Sequence, residues 1–131
     1  MKTYIIDDDK ISIYLTRHLL KTAGFSEDIA FFLSAEEALQ TLLKNIGNHM
    51  PRVIFLDLNM PGMSGWDFLD ALAPYKYQLL GQCRIYILTS SLDLADMAKS
   101  EEYELVNGFI HKTISQENIQ VILAEMEKQT S

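Results

Sequence analysis

Asp7 and Asp8 follow the apolar run Tyr4-Ile-Ile, and Asp57 follows Val53-Ile-Phe-Leu. Thr89 and Ser90 follow Arg84-Ile-Tyr-Ile-Leu, and Lys112 follows Gly108-Phe-Ile-His. If these runs are parallel strands of one sheet, their carboxyl ends share an edge, where open α/β sheets hold their ligands. Three carboxylates gathered there repel one another, each close pair by about 1 kcal/mol in water and about 4 at an intermediate dielectric. Lys112 offsets one charge only. A hard divalent cation completes the balance, and Mg²⁺, with Mn²⁺ as a substitute, suits a site with few carboxylates and several waters. A free carboxylate beside a metal, a hydroxyl and an ammonium is suited to phosphoryl transfer, which needs charge neutralisation and positioning. Asp57 is the candidate nucleophile. Lys112 and the metal would neutralise the phosphoryl oxygens, Thr89 would hydrogen-bond one of them, and the small Ser90 would leave the approach open.

The elements that must position these residues are readable from the pattern. Strands are expected over 3–6, 29–33, 53–56, 84–88 and 108–111. The run from Val53 to Leu56, continuous in apolar residues and closed by the Pro61-Gly-Met-Ser-Gly65 loop, reads as a strand buried on both faces. Helices are expected over 10–22, 35–46, 65–72, 93–100 and 115–127. The first starts at the cap Asp9, stops at Gly24, and carries Ile11, Leu15 and Leu19 at helical spacing. Ser34-Ala-Glu-Glu37 reads as a capping box. The helix over 93–100 has a weak apolar stripe, which fits a loosely held element. Residues 75–82 read as a loop that packs down on the surface, and residues 128–131 as a frayed end. Alternating strands and helices predict a doubly wound, five-stranded parallel sheet with helices on both faces, in one domain spanning 1–131 with its core over about 2–127.

Composition narrows the function classes. The 131 residues are 48% hydrophobic and 22% charged, within the range of a folded domain. No apolar run approaches the roughly 20 residues that span a bilayer. The amino terminus lacks a signal-peptide pattern, so cytoplasmic residence and no membrane association are expected. A net charge of −7 with no Lys/Arg stripe argues against direct nucleic-acid binding. Cys83, the single cysteine, excludes an intrachain disulfide or a thiolate metal cluster and reads as a packed core thiol. His18, His49 and His111 have no ligand spacing among themselves.

Each candidate has a plain alternative when taken singly. Asp7-Asp8-Asp9 is also a solvated turn and cap, Asp57 a loop carboxylate, and Lys112 a surface lysine. Together, at successive strand ends, they resemble the receiver domain of bacterial two-component response regulators, over essentially the whole chain and in the stand-alone, chemotaxis-regulator-like form. The residues that carry the resemblance are Asp7/Asp8, Asp57 within Leu-Asp-Leu-Asn-Met-Pro-Gly-Met-Ser-Gly, Thr89-Ser90, and Phe109 and Lys112 within Gly-Phe-Ile-His-Lys. The resemblance implies a flavodoxin-like strand order 2-1-3-4-5, an order known for the family rather than read from this chain. It implies Mg²⁺ held by Asp7, Asp8, Asp57 and the backbone carbonyl of Asn59. It also implies a phosphoryl group accepted on Asp57 from a sensor histidine kinase or a histidine phosphotransfer protein. Thr89 and Phe109 would act as the switch, reshaping the face of the predicted fourth helix, fifth strand and fifth helix toward an unknown downstream protein. Such a chain is no conventional enzyme, although it catalyses its own phosphorylation and dephosphorylation, and a monomer or weak dimer is expected.

Two residues depart from the family pattern. Thr113 stands where proline usually follows the lysine, and a cis bond before a non-proline costs roughly 2.5–4 kcal/mol. A trans Lys112–Thr113 bond is therefore expected, or a cis bond held by the site. Phe109 replaces the tyrosine of many relatives and cannot donate a hydrogen bond. Other classes fit less well. A haloacid-dehalogenase-type phosphatase wants an aspartate where this chain has Asn59. A flavodoxin-like electron carrier would have its flavin phosphate repelled by Asp7-Asp8-Asp9. A degenerate receiver acting as a non-phosphorylated binding module would not need the complete set of acids, Thr89 and Lys112.

Overall fold

The computed structural model describes residues 1–130. Five strands, β1 (Lys2–Ile6), β2 (Asp28–Phe32), β3 (Val53–Leu56), β4 (Arg84–Thr89) and β5 (Val106–His111), form one parallel sheet in the order β2-β1-β3-β4-β5. The helices are α1 (Lys10–Thr22), α2 (Ala35–Lys44), α3 (Gly65–Ala71), α4 (Lys76–Leu79), α5 (Leu94–Ser100) and α6 (Gln116–Thr130). None is long and apolar enough to cross a membrane.

Alternation along each central strand feeds two cores, because successive side chains leave opposite faces. Tyr4, Ile6, Ile54, Leu56, Ile85 and Ile87 pack with α2 and α3 through Ala38, Leu42, Phe68 and Leu69. Ile5, Val53, Phe55, Tyr86 and Leu88 pack with α1 and α6 through Ile13, Leu20, Ile119, Ile122 and Met126. A strand buried on both faces reads as a continuous apolar run, which is why Val53 to Leu56 was legible.

Three expectations are corrected. Residues 75–82 are not a plain loop: a 3₁₀ turn over Ala73–Tyr75 leads into α4, whose Leu79 is buried. One helical turn is too short to show a period. The carboxyl end is helical through Thr130 rather than frayed from 128, and Ser131 lies outside the described residues. The third correction concerns α1, whose buried residues are Ile13, Thr16 and Leu20. Ile11 is 72% exposed and Leu15 42%. The helix carries apolar residues around most of its circumference, so periodicity does not choose a face. Packing against the sheet does.

Caps confirm the helix starts. Asp9 accepts from the Ile11 N–H (3.0 Å) and Ser34 from the Glu37 N–H (3.2 Å). A reciprocal capping box closes on α3, where Ser64 Oγ accepts from the Asp67 N–H (3.1 Å) and Asp67 accepts from the Ser64 N–H (3.0 Å).

Candidate functional site

The register sets the site. Ile6 is level with Leu56, so Asp7 and Asp57 leave adjacent strands side by side, at the point where the strand order reverses direction. The ladder runs one residue further, with the Asp57 N–H donating to the Ile6 carbonyl (2.9 Å) and the Asp7 N–H to the Phe32 carbonyl (3.0 Å). The backbone beneath both carboxylates is therefore held rigid.

Asp7, Asp8 and Asp57 converge, with one carboxylate oxygen from each lying within 4.8 Å of the others. Asp7 and Asp57 are buried while Asp8 is exposed, so the cluster opens to solvent on the Asp8 side. Lys112 Nζ lies 2.7 Å from Asp7 Oδ2 and 3.8 Å from Asp57 Oδ1. The other Asp7 oxygen accepts from the Asp9 N–H at 2.9 Å. Asp9 thus serves the site through its backbone and α1 through its side chain.

Burial pushes the Asp57 carboxyl up to about 6, and the neighbouring Asp7 charge adds to this; Lys112 and the Asn59 N–H pull it down, and Asp8 raises it slightly. One ammonium does not neutralise three carboxylates. The donor set fits a hard divalent cation. Oxygens facing each other across Mg²⁺ stand about 4.2 Å apart at bond lengths of 2.0–2.1 Å, so three oxygens within 4.8 Å need only small rotations to close on one ion.

Thr89 is fully buried at the end of β4, and its Oγ1 accepts from the Ser91 N–H (3.1 Å), while Ser90 is exposed. The Lys112 N–H donates to the Thr89 carbonyl (2.8 Å), tying the lysine to the end of β4. The Lys112–Thr113 peptide is cis, the second of the two geometries expected for it. Asn59 is exposed beside the cluster. Phe109 stands apart from the acids, half-buried, and lines a cleft of about 300 Å³ with Met97, Val106 and Gly108. Only Ser100 of α5 is buried, in keeping with the weak stripe of that segment.

Gly65 carries a role that residue types alone did not assign. Its N–H donates to the Leu58 carbonyl (3.0 Å), and a Cβ there would stand 2.5 Å from the Asp57 carbonyl oxygen. Only glycine lets the loop fold back this tightly. The Pro-Gly-Met-Ser-Gly composition was the available signal. Trp66, next in the chain, stacks on Tyr103 (5.6 Å) under the Lys99 ammonium (4.7 Å), and Tyr103 donates to Asp70 (2.8 Å), joining α3 to the end of α5.

No curated protein matches the sequence significantly. A two-component response regulator from Cytophaga hutchinsonii is similar in structure, with 25% identity, a TM-score of 0.90, and coverage of 97% of this chain and 96% of the other. A response regulator receiver protein from Dyadobacter fermentans gives 21% identity and a TM-score of 0.85, covering 99% and 98%. The chemotaxis protein CheY4 of Vibrio cholerae gives 23% and 0.74, covering 95% and 96%. The family model of the response regulator receiver domain matches residues 3–124, and the chain belongs to that family.

Proposed function

We propose that this chain is a phosphoacceptor, in which Asp57 takes a phosphoryl group from the phosphohistidine of a sensor histidine kinase or histidine phosphotransfer protein. The observation that carries the reading is the convergence of Asp7, Asp8 and Asp57 with Lys112 set against two of them. An Asp57 oxygen attacks phosphorus, the P–N bond breaks, and its electron pair returns to the imidazole nitrogen. At pH 7 most of Asp57 is the required carboxylate, since its pKa is about 6. Asp7, Asp8, Asp57 and the Asn59 carbonyl would hold Mg²⁺, or Mn²⁺ in its place. The bound ion supplies charge neutralisation at the phosphoryl oxygens. Lys112 exchanges part of its pairing with the carboxylates for a phosphoryl oxygen, and exposed Ser90 leaves the approach clear.

The new dianion biases a two-state element. Thr89 gives its hydroxyl to the phosphoryl group, and Phe109 leaves the cleft beside Met97 to fill the space. The face of α5, β5 and α6 then changes shape, controlling a downstream protein or relaying the phosphoryl group to another histidine. The chain works as one domain over residues 1–131, cytoplasmic and as a monomer or weak dimer; it is not a conventional enzyme but catalyses its own phosphorylation and dephosphorylation.

Intact mass after incubation with acetyl phosphate and Mg²⁺ tests this. The expected result is a gain of one phosphoryl group, about 80 Da, lost on Asp57→Ala and on EDTA treatment. No gain, together with no rise in melting temperature on adding Mg²⁺, would replace the phosphoacceptor with a non-phosphorylated binding module.

A further inference from the structure

A groove of about 390 Å³ runs between α1 and β2, lined by Lys10, Ile13, Tyr14, Arg17, Phe31 and Leu33. Its floor is the buried Ile13, and its walls leave Tyr14 68%, Phe31 51% and Leu33 38% exposed. Large apolar side chains grouped this way on a surface mark contact sites more than isolated ones do. β2 is an edge strand, paired with β1 alone, so backbone groups on its outer side are open to an added segment.

The charge of α1 runs against that of the whole chain. The whole sequence carries −7, and yet α1 holds Lys10, Arg17 and Lys21 and no acidic residue. Lys10, Tyr14 and Arg17, at i, i+4 and i+7, line the groove, and Lys21 continues the same helical stripe one turn further on. That stripe corrects, for this one helix, the expectation of no basic stripe. Lys76, Arg84 and Lys112 are paired with Glu104, Glu125 and Asp7. Among the described residues, none of the three cations of α1 has a carboxylate within 4.0 Å. Tyr14 and Arg17 are also of the types that dominate binding energy at protein interfaces.

We propose that this groove docks an acidic segment of a partner protein, which seats an aromatic or aliphatic side chain against Tyr14, Phe31 and Leu33 and sets an adjacent carboxylate on Arg17 or Lys10. A nucleic acid fits less well, because the floor is apolar and the exposed acids Glu27 and Asp28 stand at the start of the same edge strand. The groove does not include Asp57, so this inference stands apart from phosphoryl acceptance.

The test is a ¹H–¹⁵N NMR titration of the full chain with acetyl-Leu-Asp-Phe-Asp-amide and with its Asn counterpart, acetyl-Leu-Asn-Phe-Asn-amide. The acidic peptide should saturate, below about 10 mM, the shifts of amides around Tyr14, Arg17, Phe31 and Leu33, and the Asn peptide should bind roughly threefold to fivefold more weakly. In a Lys10→Gln/Arg17→Gln variant with unchanged thermal midpoint that difference should vanish, while Asp57→Ala should bind as the wild type does. No saturable shift at the groove, or equal binding of the two peptides, would overturn the proposal. So would the same shifts produced by raising the protein concentration alone, which would make the occupant a second copy.

Discussion

Replacing Asp57 by asparagine should stabilise the metal-free protein. The Asp57 carboxyl rises from 3.8 to about 6 on folding, so the fold favours its neutral form. A rise of about two pKa units corresponds to about 3 kcal/mol, and solvent access on the Asp8 side screens this to about 2. The sign follows from proton binding. Between about pH 4 and 6 the native state holds more protons at this site than the unfolded chain, so wild-type stability falls as pH rises through that window and stays lower above it. Below about pH 4 the group is neutral in both states. Asparagine stays neutral throughout. The variant should therefore gain about 2 kcal/mol at pH 8, raising Tm by roughly 5–10 °C, and lose that advantage by about pH 4. Urea denaturation of both proteins in EDTA across this range measures the difference directly. Mg²⁺ at tenfold its Kd should add about 1.4 kcal/mol to the wild type and much less to the variant. A destabilised variant, or a difference that does not change with pH, would refute the reasoning that burial and the Asp7 charge raise this carboxyl.

Four further outcomes follow from the structure. Lys112→Met leaves Asp7 without its ammonium, so stability at pH 8 should drop by about 2 kcal/mol and the Asp57 pKa should climb above its present value, since the lysine lowers it; a carboxyl NMR titration showing a lower pKa would contradict this. Gly65→Ala forces a methyl against the Asp57 carbonyl and should cost about 1–3 kcal/mol and slow phosphorylation. Gly24→Ala, which meets only its positive φ, should cost about 1 kcal/mol and leave phosphorylation unchanged. Burial pushes the Cys83 thiol up to about 12, so a disulfide reagent should label it only as the protein unfolds, and rapid labelling of the native protein would show the core around it to be open.

Strand positions and the residues at their ends were readable from the amino-acid order alone. Doubly buried strands need apolar runs such as Val53 to Leu56, and a carboxylate that ends such a run is exposed to view in the sequence. The doubly wound class follows from the same runs alternating with capped helices. What tertiary structure alone decided are quantities that depend on neighbours distant in sequence. The rotation of α1 is one, because a helix apolar on several sides is turned by the sheet it meets, here through Ile13, Thr16 and Leu20. The cis geometry of the Lys112–Thr113 peptide is another. The union of Trp66 with Lys99 and Tyr103 and the folding of Gly65 onto Asp57 depend on where loops come to rest. The proton affinity of Asp57 belongs to the same group, since desolvation and charge act through ångström distances to Asp7 and Lys112 that only the packed sheet creates.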